Sequence, residues 1–184
     1  LNEWDKYLDS LCGNREYQKE AIKSAIIYIA SGEYESINQL AKENYIINSA
    51  LQQKYSKEID YINSLQLPNK LSGVIDLATG TGKSYVLYGI AQIALAIGLV
   101  KRVLVLCPSV TIERELIDKF NSLSNKSSLK DYIPTWCRIK NPRIINANFT
   151  IKAGDVCVEN IHAVYENTGS SIHDSFINCG SNTL

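Results

Sequence analysis

At 184 residues, with 45% apolar and 21% charged side chains, the chain is long enough to bury one ordinary core and has the composition of a globular domain. Nineteen basic and nineteen acidic side chains cancel, so no global field draws the protein to nucleic acid or to a membrane, and any such contact has to come from a local groove. The cysteines at 12, 107, 137, 157 and 179 are odd in number, widely spaced and never paired as C-x-x-C, which argues against a disulfide framework or a zinc site and for a reducing, cytoplasmic setting.

The amino end is polar and charged, unlike a signal peptide, and the chain opens on Leu1 and contains no methionine, which suggests a piece of a longer protein. Over 16–31, Tyr17, Ala21, Ile22, Ala25, Ile26 and Ile29 recur at helical spacing, and Gly32 stands where a helix would stop. Ser36-Ile37-Asn38-Gln39 has the form of a capping box. From there to Leu65, the apolar residues Leu40, Ile47, Leu51, Tyr55, Ile59 and Ile62 predict one or two further helices, and Leu67-Pro68-Asn69-Lys70 breaks the pattern.

Beyond that break the period changes to short apolar strands alternating with helices. A strand is expected over 74–77, a helix over 84–97 stopped by Gly98, and an interior strand of a parallel sheet over 102–107 bounded by Pro108. A returning helix follows over 112–120, then loop with one helical turn over 121–141. Ile144-Ile145 and Val156-Cys157-Val158 read as short strands, and a further helix is expected to begin over 161–166. The apolar stretch 85–100 contains Gln92 and two glycines and is too short for a bilayer, so it reads as a buried helix. The alternation predicts a doubly wound α/β domain with ligands at the carboxyl ends of its strands.

The run Ala78-Thr79-Gly80-Thr81-Gly82-Lys83-Ser84 joins the first of these strands to the first of these helices. Glycines at 80 and 82 let the backbone turn N–H groups inward, Lys83 can reach β- and γ-phosphates, and the Ser84 hydroxyl can ligand Mg²⁺. The helix that follows points its positive end at the same anion. A chance glycine-rich turn is the bland alternative, which the strand-loop-helix context disfavours.

The strict pattern G-x-x-x-x-G-K-[ST] is not met, since Leu77 stands where the first glycine would be. With that departure ATGTGKS resembles motif I of superfamily-2 helicases and translocases. Arg15-Glu16-Tyr17-Gln18 resembles their glutamine motif, where an amide offers a donor and an acceptor to the N6/N7 edge of adenine. A glutamine on an exposed helix face, merely solvated, is the other reading of Gln18. The separation of Gln18 from Lys83 is longer than in compact members, which implies that the helices between 36 and 65 are an insertion. Val103 to Ser109, followed by Glu113, resembles motif Ia, whose turn touches a nucleic-acid backbone, although an ordinary βα turn explains Pro108 and Ser109 equally well. The segment 155–165 resembles motif Ib. ENIHAVYENTGSS, at 159–171, is similar to sequences of restriction-enzyme subunits of this superfamily, specifically the type III Res or a related R subunit. A superfamily-2 RNA or repair helicase, and a non-catalytic nucleotide-binding module, share the same motifs. His162 reads as a locally satisfied polar group, with only His173 as a companion.

The resemblance implies a P-loop NTPase with a RecA-like parallel sheet flanked by helices. Residues 1–70 would be an N-terminal helical segment, and 71–184 a first lobe lacking its Asp-Glu-Ala-His strand. It implies ATP and Mg²⁺ as cofactors, Lys83 and Ser84 as catalytic residues, and Gln18, Thr79, Gly80, Thr81, Gly82, Lys83 and Ser84 around the nucleotide, with Ser84 on the metal. Pro108, Ser109 and Asn160 would meet double-stranded DNA. The implied partners are a modification methyltransferase subunit, a second RecA-like lobe and a nuclease domain, in the cytoplasm and away from the membrane. The carboxylates that orient water in such motors are missing after Lys83, so these residues alone are expected to hold a triphosphate without appreciable hydrolysis.

Overall fold

The computed structural model describes residues 2–30, 32, 35–65, 70–146 and 148–162. The expectations placed on 163–184, among them His173, most of the segment after Ile161 and Cys179, lie outside the described residues. The chain divides into two compact units, residues 27–76 and the remainder, 1–26 with 77–184.

The larger unit opens with a 3₁₀ turn at Asn2–Trp4 and a helix at Asp5–Cys12 (α1) that sequence periodicity had not marked. Its eight residues are too few to show a full amphipathic repeat, yet Trp4, Tyr7, Leu8, Leu11 and Cys12 are all buried. Trp4 meets Tyr7 edge to face at 5.3 Å. Gly13, at φ +59°, stops α1 with its N–H on the Asp9 carbonyl at 2.9 Å. The helix Glu16–Ala30 (α2) matches the expected span, and its Lys23 pairs with Asp5 of α1 at 2.6 Å.

The smaller unit holds three short helices where one or two were expected: Ile37–Ile47 (α3), Ser49–Lys54 (α4) and Glu58–Asn63 (α5). Asn48 divides the first two because its side chain accepts from the Ala50 and Leu51 N–H groups and so caps a new helix. The Ser36 hydroxyl oxygen accepts from Gln39 N–H at 3.2 Å, as the capping pattern predicts, while Gln39 Oε1 takes the N–H of Glu35.

The remaining elements are Lys83–Ala96 (α6), Val103–Cys107 (β1), Val110–Ser124 (α7), Ser127–Lys130 (α8), Arg143–Ile145 (β2) and Asp155–Asn160 (β3). The strands form one parallel sheet in the order β1-β3-β2, with Val103 beside Val156 and Arg143 beside Asp155. This is the α/β arrangement expected, with helices flanking a small sheet. Two details differ. The strand expected over 74–77 is not formed: the run carries no ladder, Val74 is 94% exposed, and only Leu77 reaches the core. A short extended run gains nothing without a neighbour to pair with, and none is present among the described residues. For the same reason β1, expected inside the sheet, is an edge strand of the described part, and the interior place belongs to β3, buried from Asp155 through Glu159.

Alternate side chains of the sheet serve two clusters. Val105, Val156 and Val158 join the main core with α6 and α7, whereas Cys157, Ile145 and Ile151 make a smaller cluster with Leu104 on the other face. Helix α6 is apolar on nearly every side and is buried accordingly. Its one polar interior residue, Gln92, is satisfied by the Ile139 carbonyl at 3.0 Å and the Tyr88 hydroxyl at 3.3 Å. No helix among the described residues is long and apolar enough to cross a membrane.

Two positions report on how tightly this unit is built. A Cβ on Gly89 of α6 would lie 2.6 Å from Ile22 Cδ1 and 2.9 Å from Leu11 Cδ2, both on buried side chains. Overpacking costs about 1–3 kcal/mol and the helix gain of Ala over Gly is about 1 kcal/mol, so Gly89→Ala is expected to lower stability in a denaturant titration. Asp155 receives Arg143 Nε at 3.0 Å, Arg143 Nη2 at 2.6 Å and the Lys152 N–H at 2.6 Å. Burial pushes its carboxyl up, but the guanidinium and the N–H outweigh burial and hold it below the usual carboxylate value. With the folded value depressed, the stabilisation is complete above the unfolded value of about 4 and fades as pH falls through the folded one. Asp155→Asn is therefore expected to lose about 1–3 kcal/mol at neutral pH and to show a flatter acid-unfolding curve than the native chain.

Candidate nucleotide site

The loop before α6 has the backbone its glycines predict. Gly80 and Gly82 sit at φ +81° and +76°, the left-handed region that a side chain strains to adopt. The turn is closed by Thr81, whose N–H and hydroxyl both donate to the Ala78 carbonyl, at 3.4 and 2.7 Å. Helix α6 starts directly at Lys83, with Gly82 as its N-cap and no side-chain oxygen over its first turn.

The first turn therefore keeps unpaired donors. Among the described residues no acceptor takes the N–H groups of Gly80, Gly82, Lys83 or Ser84, while Tyr85 N–H bonds back to Gly82 at 3.0 Å. The Lys83 side chain is exposed and the Ser84 side chain half-buried. Two more cations attend this end of the helix: Lys119 Nζ of α7 lies 4.5 Å from the Tyr85 ring centroid and the Arg15 guanidinium 6.0 Å from it. Open N–H groups, a free ammonium, a hydroxyl and flanking cations are the donor set that a triphosphate with its Mg²⁺ requires, so the residues present fit that group.

Gln18 is placed at this loop, but not on an exposed helix face. It is fully buried, and its Nε2 donates to the Thr81 carbonyl at 2.6 Å and lies 3.5 Å from that of Gly82. Its Oε1 has no hydrogen-bond partner among the described residues. Tyr17, an apolar helix position within the run resembling the glutamine motif and given no role of its own there, donates its hydroxyl to the same Thr81 carbonyl at 3.1 Å. The adjacency of Tyr17 to Gln18 was the available signal.

A second polar cluster occupies the carboxyl ends of β1 and β3. Ser109 caps α7, its hydroxyl oxygen accepting from Ile112 N–H at 3.3 Å. Asn160 Nδ2 donates to Glu113 Oε2 at 3.0 Å and to Glu159 Oε1 at 3.1 Å, so the amide expected to face DNA is turned onto two buried carboxylates. Burial pushes the nearby Cys107 thiol up, and its Sγ donates to the Glu159 carbonyl at 3.3 Å. His162 is exposed, and no group of metal-ligating side chains occurs among the described residues. Asn160→Asp places a third carboxylate against Glu113 and Glu159. It should lower the thermal midpoint at neutral pH by about 5 °C or more in a thermal melt, and by more than Asn160→Ala does.

Neither a comparison with curated proteins nor one with solved structures found a match. The family model described as "Type III restriction enzyme, res subunit" matches residues 12–178, a span that takes in Gln18, the phosphate loop, β1 and β3. The chain belongs to the type III restriction enzyme res subunit family, a P-loop NTPase family of ATP-dependent, helicase-like motors.

Proposed function

We propose that the loop at 78–84 is the ATP site of a DNA-translocating motor in a restriction enzyme. The observation that carries this reading is the open loop and start of α6, where among the described residues the N–H groups of Gly80, Gly82, Lys83 and Ser84 have no acceptor, beside the exposed ammonium of Lys83. The N–H groups bind phosphate oxygens without reading a base, and Lys83 neutralises charge on the β/γ side. Mg²⁺ held by Ser84 and the nucleotide supplies further neutralisation of the phosphates when bound. Thr79, Gly80 and Thr81 complete the wrap, and Arg15 and Lys119 add a favourable field at the helix start.

The family supports duplex DNA and a modification methyltransferase subunit as partners, with a second RecA-like lobe and a nuclease domain elsewhere in the enzyme. DNA backbone contact falls to the turn at Pro108 and Ser109, where the first N–H groups of α7 are available to phosphate. Hydrolysis in such motors needs an Asp-Glu pair at a strand end, and no Asp-Glu dipeptide occurs in these 184 residues. The 184-residue chain is therefore expected to bind Mg·ATP measurably and to turn it over negligibly. Titration calorimetry should show Lys83→Ala weakening ATP by about tenfold or more, the loss of one charge-assisted phosphate contact. Steady phosphate release that Lys83→Ala abolishes would overturn the inactivity, and an affinity indifferent to Lys83 would overturn the site.

A further inference from the structure

Reading the adenine edge requires that an amide be presented to the base, and Gln18 presents none. The side chain is wholly buried, and its only donor group is engaged by the loop itself. The loop backbone lies directly against that amide: a Cβ built on Gly82 would stand 2.7 Å from Gln18 Nε2. No base fits between them. The acceptor half, Oε1, is buried without a partner among the described residues, an unfavourable state that an apolar side chain of similar size would avoid. What the position uses is the donor.

We infer that Gln18, seconded by Tyr17, is a positioning residue that aims the phosphate loop, acting on every triphosphate alike and not on the adenine base. This rests on the reading of 78–84 as the nucleotide site. The mechanism follows from the planar trans peptide, in which the C=O of one residue and the N–H of the next point to opposite sides. Drawing the Thr81 carbonyl onto Gln18 Nε2 and Tyr17 Oη turns the Gly82 N–H away from α2. The Gly82 carbonyl, also on the Gln18 side, does the same for the Lys83 N–H. Two donors of the anion site are thus oriented by hydrogen bonds made behind them. The same packing gives Gly82 a second reason to lack a side chain, besides its φ of +76°.

The test uses Gln18→Leu, which removes the donor and the orphaned acceptor together and is expected to keep the fold, and Tyr17→Phe, which removes one hydroxyl from a side chain already 42% exposed. Affinities of the 184-residue chain for ATP, GTP and inorganic tripolyphosphate, each with Mg²⁺, should fall by one common factor, about tenfold for Gln18→Leu and about threefold for Tyr17→Phe. Amide hydrogen exchange over 80–84, measured without nucleotide, should quicken in both variants while the thermal midpoint holds. A loss confined to ATP would make Gln18 a base reader and overturn the inference, as would unchanged exchange in the loop. If the native chain binds none of the three anions, the nucleotide-site reading fails by itself, and the exchange data still decide what Gln18 does to the loop.

Discussion

The burial of α6 is the constraint from which the site follows. A helix apolar on nearly every side cannot turn a face to water, so it is enclosed by the other elements of its unit and has little freedom to rotate or slide. Its amino end is then fixed in space, and that end carries the N–H groups that the helix cannot satisfy itself. In many helices a Ser, Thr, Asp or Asn at the N-cap would consume one of them. Here the cap is Gly82, which offers no side chain, and the donors stay open. Burial at one end of the helix and incompleteness at the other are a single arrangement.

The elements that hold α6 come largely from the amino end of the chain. Ile22 and Leu11 approach Gly89 so closely that a methyl group would collide with them, and the same α2 carries Tyr17 and Gln18 to the loop. Helix α2 therefore touches both the middle of α6 and the turn that precedes it. The ion pairs of Lys23 with Asp5 and of Lys19 with Asp9 tie α1 to α2, but they are surface pairs and contribute little beside the packing.

Much of this was legible in the sequence, because the signals were periodic or chemically specific. The phosphate loop, α2, α6, α7 and the strands around Val105, Ile144 and Cys157 announce themselves by glycine spacing or apolar pattern, and the Ser36 cap by its residue type. What was not legible depended on neighbours far along the chain. Helix α1 is too short for a period, and its burial is decided by α6 and α8. The run 74–77 has the composition of a strand, but composition does not provide a partner. Gln18 was legible as a residue of interest but not as a buried one, since only the folded loop reveals that its amide meets Thr81 and not solvent. Asn160 is the parallel case: a polar side chain at a strand end reads as available, and the two carboxylates that receive it are distant in sequence or indistinguishable from surface acids.

The zero net charge conceals a local division of charge. At the start of α6, Arg15 and Lys119 lie over the Tyr85 ring and Lys83 is exposed on the first turn, adding to the positive end of the helix. At the carboxyl ends of β1 and β3, Glu113 and Glu159 are buried on either side of the Asn160 amide. The first arrangement favours a polyanion. In the second, the buried carboxyl groups of Glu113 and Glu159 receive hydrogen bonds donated by Asn160, which join the first turn of α7 to the end of β3. The hydrogens of the Asn160 amide thus serve the fold at the turn that Ser109 caps. The two clusters thus differ in kind, one leaving cations and N–H donors open, the other holding its polar groups inward and keeping a turn in place.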